Sequence, residues 1–279
     1  MNWRLIRDGA ATGARNMALD EAMLRCQAGA DARPTLRFYR WNPSCLSLGR
    51  FQKTFAVALD IDVVRRPTGG RAVWHQHEIT YSAAFPLDIV PASATSVIGS
   101  YRWLTRAFLN GLREVGVVAE LEKAIQSTLR SSQNTLSGAN CFLATAACDS
   151  VVDGRKLIGA AQCRKTIDGR VVVLQHGSLL LDVDVEAWRG VLGTEAAAMR
   201  GGVMTLAELG LWSSEEDSEA MVAALVLGVQ STLGADVEVA TWNEAELDLA
   251  RQLERVKYRS LRWNRDGRET TESESGIAA

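Results

Sequence analysis

The pattern of apolar and polar positions changes period several times along the chain, and each change predicts an element. Residues 3–7 read as a short strand. Over residues 15–26, Met17, Leu19, Met23 and Leu24 recur at near-helical spacing, and Gly29 follows as a stop. Residues 35–41 alternate, which predicts a strand with Leu36, Phe38 and Trp41 on its buried side. A second strand is expected over 45–48, after the Asn42-Pro43 turn. Short strands follow at 63–66 and 78–85. Residues 95–115 predict a helix whose apolar stripe holds Trp103, Leu104, Ala107, Phe108 and Leu112, ended by Gly116.

The middle of the chain reads as a meander. Strands over 144–152, 155–163 and 171–181 are joined by Asp153-Gly154 and Asp168-Gly169. Asp-Gly between β-prone runs is a strong hairpin signal, because both turn residues need positive φ. Beyond residue 181 the period turns helical, over 185–191, 218–232 and 242–258. Runs of antiparallel strands with helices on one side predict an α/β (α+β) fold of two layers, an antiparallel or mixed sheet with helices. Residues 1–264 are expected to form a single domain with a helical C-terminal part. The Glu/Ser-rich residues 265–279 are expected to be a disordered tail.

Composition narrows the function classes. The 279 residues are 47% hydrophobic and 23% charged, as in a soluble protein with a full core. The net charge of −2 gives no electrostatic case for nucleic acid or an anionic membrane. The first ten residues lack a signal-peptide core, and no apolar run reaches the roughly 20 residues that span a bilayer. A cytoplasmic location is therefore expected. The five cysteines are Cys26, Cys45, Cys141, Cys148 and Cys163; the number is odd and no pair has zinc-finger spacing. With three histidines in all, a metal site is not expected.

Four segments could carry chemistry. Arg65-Arg66-Pro67-Thr68-Gly69-Gly70-Arg71-Ala72-Val73 places paired glycines between strands, where a backbone can approach a ligand, with cations beside it. A tight turn with solvated arginines is the commoner origin of such a pattern. In Asn140-Cys141-Phe142 the cysteine falls at a loop-to-strand junction, where structural and reactive readings stand about even. The other four cysteines fall within predicted strands or a helix and read as core. Lys156 lies just past the Asp153-Gly154 turn, ahead of the small residues Gly159, Ala160 and Ala161; an ordinary solvated lysine is the alternative. In Gln175-His176-Gly177-Ser178 the histidine reads as structural support or as a substrate contact. His75 and His77 are expected to share one face, with no third metal ligand apparent. Arg102, Arg106 and Arg113 are spaced for one helix face and form a candidate docking surface for an acidic partner, a solvated helix face being the commoner origin of such spacing.

Taken in order, these segments resemble the lipoate–biotin ligase and acyltransferase family. The resemblance is carried by Asn16-Met17-Ala18-Leu19-Asp20-Glu21-Ala22, Arg37-Phe38-Tyr39-Arg40-Trp41, the Arg65–Val73 segment, Asp153-Gly154-Arg155-Lys156 with Gly159-Ala160-Ala161-Gln162, and Gln175-His176-Gly177-Ser178-Leu179-Leu180. Lys257-Tyr258 and Trp263-Asn264 resemble the family's ending more weakly. It implies a fold like the catalytic domain of biotin ligases and class II synthetases. Asn140-Cys141-Phe142 is similar to the cysteine segment of the family's octanoyltransferases, and ligases do not need a cysteine there. Gly69-Gly70-Arg71 also resembles that subgroup, where many ligases have a third glycine. One departure is Gly159-Ala160-Ala161, where a serine often follows the glycine.

The resemblance implies a transferase without cofactor or metal. Octanoyl would pass from acyl carrier protein to Cys141, then to a lysine of the glycine cleavage H protein or another lipoyl domain. Lys156 is implied as the cation and base beside Cys141. Gly69, Gly70, Arg71, His75, Gly159, Ala160 and His176 are implied as substrate-binding residues, and a monomer is expected. An ATP-dependent lipoate–protein ligase is the alternative; a non-catalytic carrier binder and a shuttle between lipoyl domains are further readings. The hairpin sets Lys156 roughly opposite Val151. A straight strand from residue 141 would put Cys141 about 30 Å away at ~3.3 Å per residue, so Cys141 is expected on a loop that bends back.

Overall fold

The structure, a computed structural model, describes residues 1–53, 61–122, 149–192 and 200–268. In chain order β1 (Asn2–Ala11) leads into α1 (Gly13–Cys26), β2 (Thr35–Trp41), β3 (Cys45–Leu48), β4 (Asp62–Arg65), β5 (Val73–His75) and β6 (Glu78–Pro86). Next come α2 (Val97–Glu114), β7 (Glu120–Leu121), β8 (Ser150–Val152), β9 (Arg155–Ile167) and β10 (Arg170–Leu180). The chain continues through α3 (Val185–Leu192), α4 (Glu215–Leu233), β11 (Asp236–Val239), α5 (Glu244–Leu253), a π-helical turn (Glu254–Tyr258) and α6 (Leu261–Asp266).

Among the described residues, β11-β1-β2-β6-β10-β9-β8-β7 form an eight-stranded sheet and β4-β3-β5 a small second one. The large sheet is mixed: β1 runs parallel to β2 and to β11, and the other neighbours are antiparallel. The hairpins form where Asp-Gly predicts them. Asp153 and Gly154 have φ of 49° and 72°, Asp168 and Gly169 φ of 50° and 78°, the left-handed pair that matches strand twist.

Alternation along the strands separates two cores. Ile79, Tyr81, Ala83 and Phe85 of β6 pack with Leu104, Phe108 and Leu112 of α2 and with α4. Ala84, Val172 and Leu174 pack with Met23 and Leu24 of α1. The mixed sheet with its helices is as expected, and α1 covers the second face. That helix is buried nearly all round, because α5 and the C-terminal Tyr258 and Trp263 close over its far side. This explains why β2 buries Arg37 and Tyr39 as well as Leu36, Phe38 and Trp41.

The α2 stripe is as expected except at Trp103, which is half-buried. The helix starts at Val97 because the Ser96 side chain accepts from Gly99 N and caps it. Arg106 and Arg113 are exposed on this helix and Arg102 half-buried. Among the described residues no helix is long and apolar enough to cross a membrane.

α2 and α4 cross almost backbone to backbone. A Cβ on Gly111 would lie 2.1 Å from the Ala224 carbonyl oxygen, and one on Gly228 2.1 Å from that of Ala107. Alanine is the better helix former by about 1 kcal/mol. Even so, Gly228→Ala is expected to lower stability by about 1–3 kcal/mol by forcing the helices apart. Urea unfolding measures this; an unchanged midpoint would show that the crossing yields without cost.

Candidate active site

β2, β3, β5, β9, β10 and α1 meet around a cleft of about 470 Å³, part of it open to solvent. Its walls are mainly apolar: Met17, the rings of Tyr39 and Trp41, Val73, Ala160 and Ala161. Trp41 lies flat on His75, ring centroids 4.0 Å apart at 12°. Of the residues implied at the site, Lys156, His75, Gly159, Ala160 and His176 all line this one cleft.

Gly69, Gly70 and Arg71 are not among its lining residues. They form the turn between β4 and β5. Gly70 has φ of 92°, and its carbonyl oxygen would lie 1.9 Å from a Cβ on Gly49. Glycine is therefore needed at Gly70 by conformation and at Gly49 by close approach. Arg66 fastens it from inside, donating to the carbonyls of Gly69 at 2.8 Å and Arg71 at 2.7 Å.

The two cleft histidines are held in the same way. His176 Nδ1 faces Asp20 Oδ2 at 3.0 Å and its Nε2 faces Thr68 Oγ1 at 2.6 Å. His75 Nδ1 faces Glu78 Oε1 at 2.7 Å and its Nε2 faces Ser47 Oγ at 2.7 Å. A carboxylate only accepts, so each Nδ1 carries the proton. Arg66 joins the two sets, donating to Thr68 Oγ1 at 3.2 Å and to Ser47 Oγ at 3.1 Å. Both rings thus spend both nitrogens on the protein and act as fixed walls. His77 does not share a face with His75, contrary to expectation. β5 ends at His75, and His77 is exposed in the turn that follows. Among the described residues no three His, Cys, Asp or Glu side chains are grouped to hold a metal ion.

Asp20 was not singled out from sequence, yet it anchors the site. Its carboxylate accepts from Arg37 at 2.8 Å, Ser82 at 2.7 Å and Tyr39 at 3.0 Å, besides His176. Burial would raise its pKa. The His176 hydrogen bond and the Arg37 charge outweigh burial and hold it below the ordinary carboxylate value. Burial pushes His176 the other way, below the usual histidine value, against the pull of Asp20. The sequence signal that could have found Asp20 is an acid inside the apolar run Met17-Ala18-Leu19-Asp20-Glu21-Ala22.

Lys156 is not the solvated lysine that its exposed-looking hairpin suggests. It is 1% exposed and its Nζ lies 2.7 Å from Asp149 Oδ2, on an equally buried carboxylate. Val151 pairs with Lys156 across the hairpin, as the turn predicted. Cys141 and Cys148 lie outside the described residues. Cys45 is buried as expected, whereas Cys26 and Cys163 are only half-buried. Burial raises all three thiols, Cys163 to about 12, and none lines the cleft.

Residues 12–226 match the family model of the lipoyl protein ligase A/B catalytic domain. The chain belongs to that family. Among similar proteins of this family, the octanoyltransferase LipM of Symbiobacterium thermophilum is 37% identical over 94% of this chain and 98% of its own length. That of Kyrpidia tusciae is 36% identical with the same coverage. A solved lipoate-protein ligase A bound with ATP superposes with a TM-score of 0.75 at 25% identity, over 95% of this chain and 99% of that one. LipL1 of P. falciparum in complex with lipoate shares the fold at 15% identity and a TM-score of 0.62, over 95% of this chain and 74% of that one.

The buried ion network makes stability depend on pH. His176 has a folded pKa below its ordinary value of about 6.5. The stability it contributes is complete above that value and is lost as pH falls below it towards the folded pKa. Asp20 is also depressed, so its contribution is complete above pH ~4 and is lost only in stronger acid. Between pH 7 and 5.5 unfolding free energy should fall by up to roughly 1 kcal/mol per pH unit for the one proton involved. His176→Gln should flatten that slope. A wild-type slope in the variant would exclude His176 as its source.

Proposed function

We propose that this chain is an octanoyltransferase that moves an octanoyl group from the thioester of acyl carrier protein to a lysine amine of a lipoyl domain, such as the glycine cleavage H protein. The observation that carries the reading is the near full-length match to proteins named octanoyltransferase, joined to an apolar cleft with a buried lysine in its wall. An eight-carbon chain suits walls of Met17, Tyr39, Trp41 and Val73, and the small Ala160 and Ala161 leave it room.

Two exchanges suffice. In the first, the Cys141 thiolate attacks the donor thioester, the new C–S bond forms, the carrier's C–S bond breaks, and the carrier's thiolate leaves with the proton that the Lys156 ammonium gives it. One thioester replaces another, so the step is close to thermoneutral. In the second, the acceptor amine attacks the Cys141 thioester, a C–N bond forms, and the C–S bond breaks. An amide replaces a thioester, so the step runs downhill. Neither exchange needs ATP, whereas a ligase must activate a free acid. A free thiol has a pKa of about 8.5, so Cys141 needs a cation beside it. Lys156 supplies that charge; having given its proton to the departing carrier thiolate, its neutral amine then takes the proton of the attacking amine.

His75 and His176 shape the cleft instead of moving protons, because both nitrogens of each ring are engaged. Cys26, Cys45 and Cys163, whose thiols are raised, are poor nucleophiles and do not compete with Cys141.

The test is transfer to a purified lipoyl domain, followed by the domain's mass. Octanoyl-carrier protein without ATP should modify the domain. Free octanoate with ATP should not. Lys156→Met should lower turnover by about 10²–10⁴-fold, the usual scale of a lost acid–base group. Modification that requires ATP and free acid would assign a ligase instead.

A further inference from the structure

Asp149 and Lys156 come together through backbone contacts that pin both. The Asp149 carbonyl accepts from Glu122 N at 2.8 Å, which ties it to the strand beyond β8. The Lys156 carbonyl accepts from Met204 N at 2.9 Å, and Lys156 bridges to Val203 in parallel. Only the side chains are left to choose where they meet. They meet at the cleft: a Cβ on Gly159 would lie 3.4 Å from Lys156 Cδ and 3.6 Å from Nζ, so the lysine runs along that bare strand wall.

A buried ion pair is a weak device for stability, since an apolar pair of similar volume often serves as well or better. The lysine of this one stands in the wall of a largely apolar cleft whose histidines are fully engaged. We propose that Asp149 is the positioning residue for Lys156, holding Nζ at the Gly159 wall and stabilising the positive charge on Lys156 as it takes a proton from the attacking amine.

The inference rests on the octanoyltransferase reading and deepens it. In the transfer step the acceptor nitrogen bonds to the acyl carbon and its proton goes to Nζ. The acyl C–S bond breaks and the Cys141 thiolate departs, which restores the thiolate and the Lys156 ammonium together. Asp149 remains a carboxylate throughout. Without it, a protonated Lys156 would lose the carboxylate that faces it at 2.7 Å in a buried place, and the balance would move towards the neutral amine. The residue is a poorer proton acceptor in that state.

Two readouts test this. Asp149→Asn keeps the shape and removes the charge. In the full chain it should lower kcat for lipoyl-domain modification by about 10²-fold, with KM for the octanoyl-carrier donor unchanged. Asp149→Glu should recover part of the loss. Separately, each protein is treated briefly with acetic anhydride at pH 7 and acetylation of Lys156 is counted by peptide mass spectrometry. Lys156 should react about tenfold faster or more in Asp149→Asn, because its neutral form is more populated, and should stay slow in Asp149→Glu. The labelling needs no donor, acceptor or cysteine, so it separates failure of the pairing from failure of the octanoyltransferase reading. A wild-type labelling rate in Asp149→Asn, or an unchanged kcat, would overturn the proposal. So would a loss of kcat with unchanged labelling, which marks general damage to the fold.

Discussion

The carboxylate of Asp20 is the constraint on which the site depends. It stands in α1, takes donors from β2, β6 and β10, and is fully buried. A charge in that position is costly unless every lone pair is used. Using them fixes α1 on the second face of the sheet. It also sets the tautomer of His176, whose other nitrogen then accepts from Thr68. Through Thr68 and Arg66 the order passes to the glycine turn and to Ser47, His75 and Glu78. One acid in a helix therefore determines the wall of a cleft that reaches two sheets.

A second lock holds the C-terminal segment to the same helix. Glu21 accepts from Lys165 and Lys257, both at 2.7 Å, and from Tyr258. Burial opposes its charge, and the lysines and Arg25 outweigh burial to hold its pKa well below the usual range. Arg65 donates to the carbonyls of Trp263 and Asn264, and Trp263 Nε1 donates to the Arg65 carbonyl. The far end of the chain thus braces the arginine pair that precedes the glycine turn. Adjacent acids in α1 serve adjacent tasks, one inside the site and one behind it.

Much of the fold could be read from residues near each other in sequence. Asp153-Gly154 and Asp168-Gly169 declare their hairpins because only a few residue types accept positive φ. The α2 stripe follows from helical spacing. What could not be read depends on partners far along the chain. Arg37 and Tyr39 look solvent-facing by alternation until α1 covers their face. Gly69 and Gly70 stand out as special, but the partner that explains the turn is Gly49, some twenty residues earlier. Lys156 looks exposed until Asp149 and the 200–206 segment close on it. Apolar period reports which side of one element is buried; it does not report which polar side chains pair across elements.

The cleft, the buried lysine and the cysteine in the sequence make a single claim together: acyl transfer through a thioester on Cys141. Intact-protein mass spectrometry tests it most directly, after mixing the chain with octanoyl-carrier protein in the absence of ATP. The account predicts an octanoyl adduct that hydroxylamine removes and that Cys141→Ala abolishes. An unmodified protein that nevertheless acylates the lipoyl domain would contradict it.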